Sequence, residues 1–357
     1  IGLAELIEEQ QHRGYEEFQF LQEMEILFTE DMALYEDPDG KQKLLEEYLG
    51  KCMHHVSGNS IRVDAGELAD NLRKKGQWMQ EHIRRTEWIE EDEEKGWFNG
   101  YYDDHGAALE GIRGGRAHMM LTGQVFSLMN ATATKEQAQK IIRSAEEHLF
   151  DASCGGYRLN TDFGEIKTDM GRMFGFAYGE KENGAVFSHM AVMYANALYT
   201  RGFAREGYKA LQALYRQAMD PAKSRTYPGI PEYFGHGGRG LYHYLTGAAS
   251  WYMLTVVTGA FGVRGSYGDL LVEPMLVKEQ FSEEGLATIQ LKFRGKTIQL
   301  QYVNADRLDY GEYHLQGVQT GEDIVYIREG DTLRIPAEQI AEMSECGVHR
   351  IVITLGK

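Results

Sequence analysis

The spacing of apolar residues changes near Val263, and this change most constrains how the chain can fold. Before this point apolar residues recur every three or four positions, which is typical of helices with one buried face. After it they alternate with polar residues, as in Ala287–Phe293 and Thr297–Val303, which is typical of strands. The sequence therefore predicts a mainly α chain, with a helical domain over residues 1–262 and a β-sandwich domain over residues 263–357.

Six segments have both the length and the apolar spacing of helices: Gly14–Glu30, Lys41–His55, Val63–Ile89, Lys135–Leu149, Phe187–Arg201 and Ala204–Met219. Thr134 and Gln137 are typical of a helix start, because each side chain can bond an exposed backbone amide of the first turn. The apolar stretch Leu245–Gly262 predicts a buried helix and not a membrane span, because it contains hydroxyl side chains and no basic residue closes either end.

Charge and cysteine content exclude several classes of protein. The chain carries 54 acidic and 37 basic side chains, and its formal charge of −17 repels phosphate backbones and anionic lipid. We therefore expect neither nucleic acid nor a membrane as partner. Cys52, Cys154 and Cys346 are far apart and odd in number, which argues against a disulfide framework or a structural zinc site and favours a reducing cytoplasm.

Two loop segments combine aromatic residues, charge and glycine where the helical pattern breaks. In residues 96–106, aromatic faces can stack on sugar rings, and a carboxyl held against them in a partly dry pocket has a raised pKa, which suits a general acid. In residues 179–189, the adjacent charges of Lys181 and Glu182 can bond several sugar hydroxyls. His189 follows in the first turns of a helix, where free amides favour an anion.

A third such segment is Tyr242–Trp251. Gly247 lets a ligand approach the backbone closely, and the Thr246 hydroxyl with neighbouring amides would make a small anion cradle. Each of the three segments also has an ordinary interpretation, as a surface turn, a helix cap or a helix start. Together they supply a carboxylic acid, a pair of charges for hydroxyl groups and an anion pocket.

These segments resemble the inverting phosphorylases of glycoside hydrolase family 94. The matching strings are Lys181-Glu182-Asn183-Gly184 through His189, Leu245-Thr246-Gly247 through Trp251, and Gly268-Asp269-Leu270-Leu271-Val272-Glu273-Pro274. The resemblance runs in order through nearly the whole chain. It implies part of an (α/α)6 barrel followed by a C-terminal β-sandwich, with inorganic phosphate as co-substrate and neither a metal nor an organic cofactor.

The resemblance also implies roles for single residues. Cellobiose and chitobiose phosphorylases carry a D-W-N-D motif, whereas Gly100-Tyr101-Tyr102-Asp103 is similar to the N-G-Y-Y-D pattern of 1,2-β-oligoglucan phosphorylases. Asp103 would then be the general acid, although a shift of one residue would give that role to Asp104. The expected glucose contacts are Tyr101, Lys181 and Glu182, and the expected phosphate contacts are His189, Thr246 and Gly247.

The implied reaction is the reversible phosphorolysis of β-1,2-glucooligosaccharides to α-glucose 1-phosphate and a shortened oligosaccharide. A phosphorylase has an anion site where an inverting hydrolase has a second carboxylate, roughly 6.5–9.5 Å from the acid. An inverting hydrolase on the same barrel is one alternative, favoured if Glu182 or Asp169 faces Asp103 across a water molecule. A non-catalytic carbohydrate-binding chain is the other alternative.

The sequence departs from the family in length. Family members are much longer, and their earlier barrel helices contribute an arginine and an aspartate to the glucose site that nothing in this chain matches. We therefore expect either the C-terminal part of a longer enzyme or a subunit that a complementary chain completes, with a homodimer as in many family members. Alone, the chain would expose helix faces meant for burial, which predicts poor solubility or an obligate partner.

Overall fold

The computed structural model describes residues 1–164, 168–227, 229–243, 246–321 and 324–357. These residues form two compact units, Ile1–Glu87 and Trp88–Lys357. Helices predominate before residue 262 and strands after it, as the apolar spacing predicts. The domain boundary at residue 262 stays a prediction.

The first unit contains three helices and one pair of strands. Its elements are α1 (Gly2–His12), β1 (Glu17–Leu21), 3-10 turns at Gln22–Phe28 and Met32–Tyr35, α2 (Pro38–Cys52), β2 (Ser60–Asp64) and α3 (Ala65–Thr86). The helix predicted over Gly14–Glu30 is wrong. Within β1 the apolar residues alternate, and Phe18 and Phe20 pair with Val63 and Ile61 of the antiparallel strand β2.

The second unit begins with helices separated by short strands. Its elements up to residue 260 are β3 (Trp88–Glu90), β4 (Gly96–Phe98), β5 (Gly111–Arg113), β6 (Arg116–His118), α4 (Leu121–Met129), α5 (Lys135–His148), β7 (Phe150–Asp151), β8 (Gly156–Tyr157), a 3-10 turn at Arg172–Gly175, β9 (Val186–Phe187), α6 (Ser188–Thr200), α7 (Ala204–Ala218), α8 (Pro221–Ser224), β10 (Tyr233–Phe234), a 3-10 turn at His236–Gly238, β11 (Gly240–Leu241), α9 (Ala248–Thr255) and a π-helical turn at Val256–Ala260. Five of the six predicted helices are confirmed, as α2, α3, α5, α6 and α7. The predicted start of α5 is also confirmed, because the side chains of Thr134 and Gln137 accept hydrogen bonds from each other's backbone N–H at 3.1 and 3.0 Å.

Helix α6 packs against α4, α7 and α9 and forms the centre of this helical region. Its residues Val192, Tyr194 and Leu198 are fully buried. The apolar stretch predicted as a buried helix is α9 with its π turn, but only one side of it is buried, since Met253 is 63% and Leu254 45% exposed. None of the helices in the described ranges is long and apolar enough to cross a membrane.

After residue 262 the described chain forms two four-stranded sheets, in the orders β12-β13-β18-β17 and β14-β15-β19-β16. The elements are β12 (Val263–Ser266), β13 (Asp269–Val272), a 3-10 turn at Lys278–Gln280, β14 (Leu286–Phe293), β15 (Lys296–Val303), β16 (His314–Thr320), β17 (Ile327–Glu329), β18 (Thr332–Ile335), α10 (Ala337–Glu342) and β19 (His349–Gly356). Strands β14 and β15 form the predicted hairpin, and Arg294 and Gly295 at its tip both have the positive φ of a type I′ turn. Strand β17 begins at Ile327, and shortly before it the N–H of Val325 donates to the side chain of Gln339 at 3.2 Å.

Gly262 joins the last helical turn to the first of these sheets. Its φ is +67°, and its carbonyl accepts a hydrogen bond from the N–H of Glu273 at 2.9 Å. A Cβ at this position would overlap the backbone carbonyl of Glu273. Only glycine fits, since the conformation is strained for other residues and the space is already filled by backbone.

We expect Gly262→Ala to destabilise the protein far more than Gly295→Ala. Both glycines have positive φ, which costs alanine roughly 1–2 kcal/mol, but a Cβ at Gly295 meets nothing within 4 Å. Gly262→Ala adds a backbone overlap, and we expect a loss of more than about 4 kcal/mol in the free energy of unfolding. Urea unfolding of both variants measures the difference, and equal losses would contradict this account of the joint.

Candidate functional site

Asp103 lies at a tight turn in the loop between β4 and β5. Its Oδ1 accepts hydrogen bonds from the backbone N–H groups of Ala107 at 2.8 Å and His105 at 2.9 Å. The bond from Ala107 is the main reason that the pKa of Asp103 is lowered, against the opposing effect of desolvation. This is the opposite of the raised pKa that the sequence suggested, because backbone donors stabilise the charged form.

The Asp103 loop rests on residues 169–170. The Tyr101 hydroxyl donates to the carbonyl of Met170 at 3.3 Å, and the N–H of Asp104 donates to the carbonyl of Asp169 at 2.9 Å. Tyr101 and Asp104 are otherwise exposed. Asp169 therefore lies beside this loop, but it makes the contact through its backbone, whereas the hydrolase alternative requires its carboxylate to face Asp103.

The base of the same loop is fixed by Glu110, which the sequence analysis did not single out. Glu110 is 4% exposed, and its carboxylate accepts hydrogen bonds from the N–H groups of Gly100 and Met120, both at 2.6 Å. A buried carboxylate that accepts several backbone hydrogen bonds is a structural element of the loop. No local spacing indicates it, because its partners lie ten residues away on either side.

Lys181 lies at the tip of the tight turn Glu180–Asn183, in the left-handed conformation with φ +50°. Its Nζ is 3.4 Å from Oε2 of Glu232 and 3.4 Å from the centre of the Tyr242 ring. The ammonium group is thus held between a carboxylate and an aromatic face, which fixes its position. The sequence analysis missed Glu232 and Tyr242 as partners, since they follow Lys181 by more than fifty residues.

Glu182, the next residue, faces a different partner. Its Oε1 is 3.5 Å from the guanidinium of Arg172, while its Oε2 is buried and has no hydrogen-bond partner among the described residues. A buried carboxylate oxygen without a donor is costly, so this atom is suited to accept a hydrogen bond from a ligand hydroxyl.

His189, Thr246 and Gly247 come together at the starts of two helices. His189 is the second residue of α6, and Gly247 immediately precedes α9. A Cβ on Gly247 would lie 3.0 Å from Cε1 of His189, so glycine permits this close approach. The Nε2 of His189 is buried and, within the described ranges, makes no hydrogen bond. The Thr246 hydroxyl accepts the N–H of Ala248 at 3.1 Å.

Two helix starts therefore meet at this point, and neither has a side-chain hydrogen bond from its N-cap residue. Helix starts carry free N–H groups and partial positive charge, so a histidine between them can hold an anion. Tyr244 and Leu245, which belong to the third loop segment of the sequence analysis, lie outside the described residues.

Glu232 connects the two groups of residues. Its side chain pairs with Lys181, its N–H donates to the carbonyl of Tyr242 at 2.8 Å, and its carbonyl accepts the N–H of Ser188 at 2.9 Å. Lys181 is thus linked through one residue to the start of α6, where His189 follows. In the described part of the chain, Asp103 has no hydrogen bond or ion pair with Lys181, Glu182 or His189.

Among the described residues, no group of three or more His, Cys, Asp or Glu side chains could hold a metal ion. The charged residues instead form separate pairs, Lys181 with Glu232 and Arg172 with Glu182. Such an arrangement can offer hydrogen-bond donors and acceptors to a polyhydroxylated ligand.

Comparison with known proteins finds phosphorylases among the relatives. The cellobionic acid phosphorylase of Neurospora crassa is 24% identical over 290 residues, which cover 77% of this chain and 32% of that protein. The N,N'-diacetylchitobiose phosphorylase of Vibrio proteolyticus is 28% identical over 236 residues, 62% of this chain and 28% of that protein. The cyclic β-(1,2)-glucan synthase NdvB of Rhizobium meliloti is 27% identical over 191 residues, 50% of this chain and 7% of that protein.

The chain spans about a third of the length of the curated phosphorylases it matches. The family model described as the glycosyl hydrolase 94 superfamily, catalytic domain, matches residues 61–262. This range includes Asp103, Lys181, Glu182, His189 and Gly247 and covers more than half of the chain. The chain therefore belongs to the glycosyl hydrolase 94 superfamily.

Proposed function

We propose that this chain carries the site of an inverting glycoside phosphorylase. The observation that carries the proposal is the buried Nε2 of His189, which has no partner in the described part of the chain and lies beside Gly247 at the starts of α6 and α9. Phosphate is an anion that accepts hydrogen bonds from an imidazole and from backbone N–H groups at once. A hydrolase has no use for such a pocket, because its nucleophile is a neutral water.

The chain acts as part of an (α/α)6 barrel, to which its helices α4–α7 and α9 belong, with the C-terminal sheets as a β-sandwich. The relatives named as phosphorylases of disaccharides support a glycoside as the substrate. The relative named as a cyclic β-(1,2)-glucan synthase, together with the N-G-Y-Y-D pattern, supports β-1,2-glucooligosaccharides in particular.

Asp103 acts as the general acid. It gives its proton to the glycosidic oxygen while a phosphate oxygen attacks the anomeric carbon from the opposite face, which yields α-glucose 1-phosphate from a β-linked glucoside. The lowered pKa of Asp103 favours the ionised form, so the bound substrate must raise this pKa before phosphorolysis begins. Burial of the carboxylate by the sugar and the approach of the phosphate anion both act in that direction.

Lys181 and Glu182 bind the hydroxyls of the glucose unit at the cleaved end, with Tyr101 contributing from the Asp103 loop. The free Oε2 of Glu182 supports this role, because it can accept a hydrogen bond from one hydroxyl. The Lys181 ammonium, held by Glu232 and Tyr242, can donate to another. Opposite charges on adjacent residues thus provide both kinds of hydrogen-bonding group within reach of one ring.

The test incubates the longest natural polypeptide that contains this chain with sophorose-series oligosaccharides, with and without inorganic phosphate. Release of α-glucose 1-phosphate that depends on phosphate supports the proposal. Free glucose formed without phosphate would instead establish the hydrolase. Oligosaccharide binding without any product would establish a carbohydrate-binding chain.

We expect Asp103→Asn to lower kcat by about 10²- to 10⁴-fold, the usual contribution of a general acid. An asparagine oxygen can still accept the N–H groups of His105 and Ala107, so the turn and the melting temperature should be kept. Asp104→Asn is the matched control, because Asp104 is exposed and contributes its backbone N–H to the carbonyl of Asp169. Loss of kcat in Asp104→Asn alone would assign the acid to Asp104.

We expect His189→Asn to raise the KM for phosphate with a much smaller effect on the KM for oligosaccharide. A hydrogen bond to a charged group contributes about 1.5–3 kcal/mol, which corresponds to about a 10- to 100-fold rise. His243→Asn is the control, because His243 is an exposed histidine of the neighbouring loop. Initial rates at varied phosphate measure the effect, and an unchanged phosphate KM in His189→Asn would remove His189 from the phosphate site.

A further inference from the structure

Both backbone groups of Gly184 are held by side chains from an earlier part of the chain. Its N–H donates to Oδ1 of Asn160 at 2.7 Å, and its carbonyl accepts from Nη1 of Arg158 at 2.6 Å. Gly184 has φ +74°, and a Cβ there would overlap the ring of Tyr178. The backbone at this position is therefore fixed from three directions.

Asn160 is fully buried, and its side-chain oxygen and both side-chain N–H groups make hydrogen bonds. Besides accepting from Gly184, it donates through Nδ2 to Oδ1 of Asn183 and to the carbonyl of Thr161, both at 3.0 Å. Asn183 in turn donates to the carbonyl of Phe176 at 2.8 Å. One buried amide thus holds both Asn183, at the end of the Lys181 turn, and Gly184, which follows it.

Arg158 is anchored by groups that do not belong to the candidate site. Its guanidinium donates to Oδ2 of Asp151 at 2.8 and 3.0 Å and lies 3.0 Å from the sulfur of Cys154. Although burial alone would raise the pKa of Asp151, hydrogen bonds from Ser153 and Arg158 lower it to about 2. The pair therefore stays charged at neutral pH, and Arg158 presents Nη1 to Gly184 from a fixed position.

Gly184 lies in the chain between the expected glucose contacts and the expected phosphate contact. It follows Glu182 by two residues and precedes His189 by five, and strand β9 connects it directly to α6. A shift of Gly184 would move the expected glucose contacts on one side and the expected phosphate contact on the other. Its two backbone bonds, together with the link through Glu232, thus help to set the distance between both groups.

We propose that Asn160 and Arg158 are positioning residues that hold Lys181 and Glu182 at a fixed distance from His189. This inference rests on the proposed function for its catalytic consequence. The residues touch neither sugar nor phosphate, and they act through Gly184. Misplacement of reacting groups by about 1 Å can cost about 100-fold in rate, so a rigid connection at this point matters for turnover.

The test compares Asn160→Ala with Asn304→Ala. Asn304 is a matched control in the C-terminal sheets: it is also fully buried, donates to the carbonyl of Leu308 at 2.8 Å and accepts the N–H of Leu308 at 2.9 Å. Each variant removes the hydrogen bonds of one buried asparagine side chain, so the melting temperatures of both should fall by a similar amount. Only Asn160→Ala should lower kcat/KM, by about 100-fold, with a raised KM for phosphate, when assayed well below either melting temperature.

Hydrogen–deuterium exchange gives a readout that needs no turnover. Asn160→Ala should accelerate exchange across residues 178–190, and Asn304→Ala should leave these residues unchanged. If the wild type makes no product but the exchange result holds, the proposed function fails while the positioning role stands. Unchanged exchange in Asn160→Ala, or equal kinetic losses in both variants, would overturn the inference.

Arg158→Lys keeps the positive charge and serves if Asn160→Ala does not fold. A lysine cannot reach Asp151 and the Gly184 carbonyl with two separate nitrogens, so the same faster exchange and a smaller loss of kcat/KM are expected. Wild-type exchange and kinetics in Arg158→Lys would contradict the role of Arg158.

Discussion

The burial of helix α6 is the constraint on which the candidate site depends. Val192, Tyr194 and Leu198 of this helix are fully buried, and the helix packs against α4, α7 and α9, which restricts the movement of its first turn. That first turn contains the Ser188 hydroxyl and the His189 Nε2, both buried and both without a hydrogen-bond partner in the described ranges. A buried polar group without a partner costs about 1–3 kcal/mol, and a ligand that bonds to it offsets this cost. The packing thus leaves two polar atoms at the helix start available to a ligand.

The charges around this helix start separate two kinds of ligand group. Lys181 pairs with the carboxylate of Glu232, the carboxylate of Glu182 lies beside Arg172, and the hydroxyl of Tyr233 donates to Glu180 at 3.2 Å. Carboxylates accept hydrogen bonds from sugar hydroxyls but repel the negative charge of phosphate. In the proposed function, this distribution of charge favours the anion at His189 and Gly247 and the neutral sugar at Lys181 and Glu182.

The sequence predicts those structural features that depend on residues close together in the chain. The start of α5 needs only Thr134 and Gln137, and the β14–β15 hairpin needs only alternation and a glycine turn. The apolar residues of Gly14–Glu30 fit a helix, but part of this segment forms strand β1. Its partner strand β2 lies about forty residues further on, so no local pattern indicates the pairing. Asn160, Glu232 and Glu110 were missed for the same reason, since each acts on residues that are distant in sequence. Longer-range contacts leave no spacing signal in a single sequence.

The turn around Asp103 stabilises the ionised carboxylate, whereas a general acid must be protonated. Two backbone N–H groups hold the carboxylate in its ionised form, which suits a base. In the synthetic direction of the proposed reaction Asp103 must accept a proton, and the resting turn is already prepared for that step. In phosphorolysis Asp103 must first gain a proton. The bound sugar and phosphate therefore have to raise its pKa by more than the two backbone hydrogen bonds lower it. The hydrogen bonds of this turn thus hold Asp103 of the free protein in the protonation state that the synthetic direction uses, and phosphorolysis needs the other state.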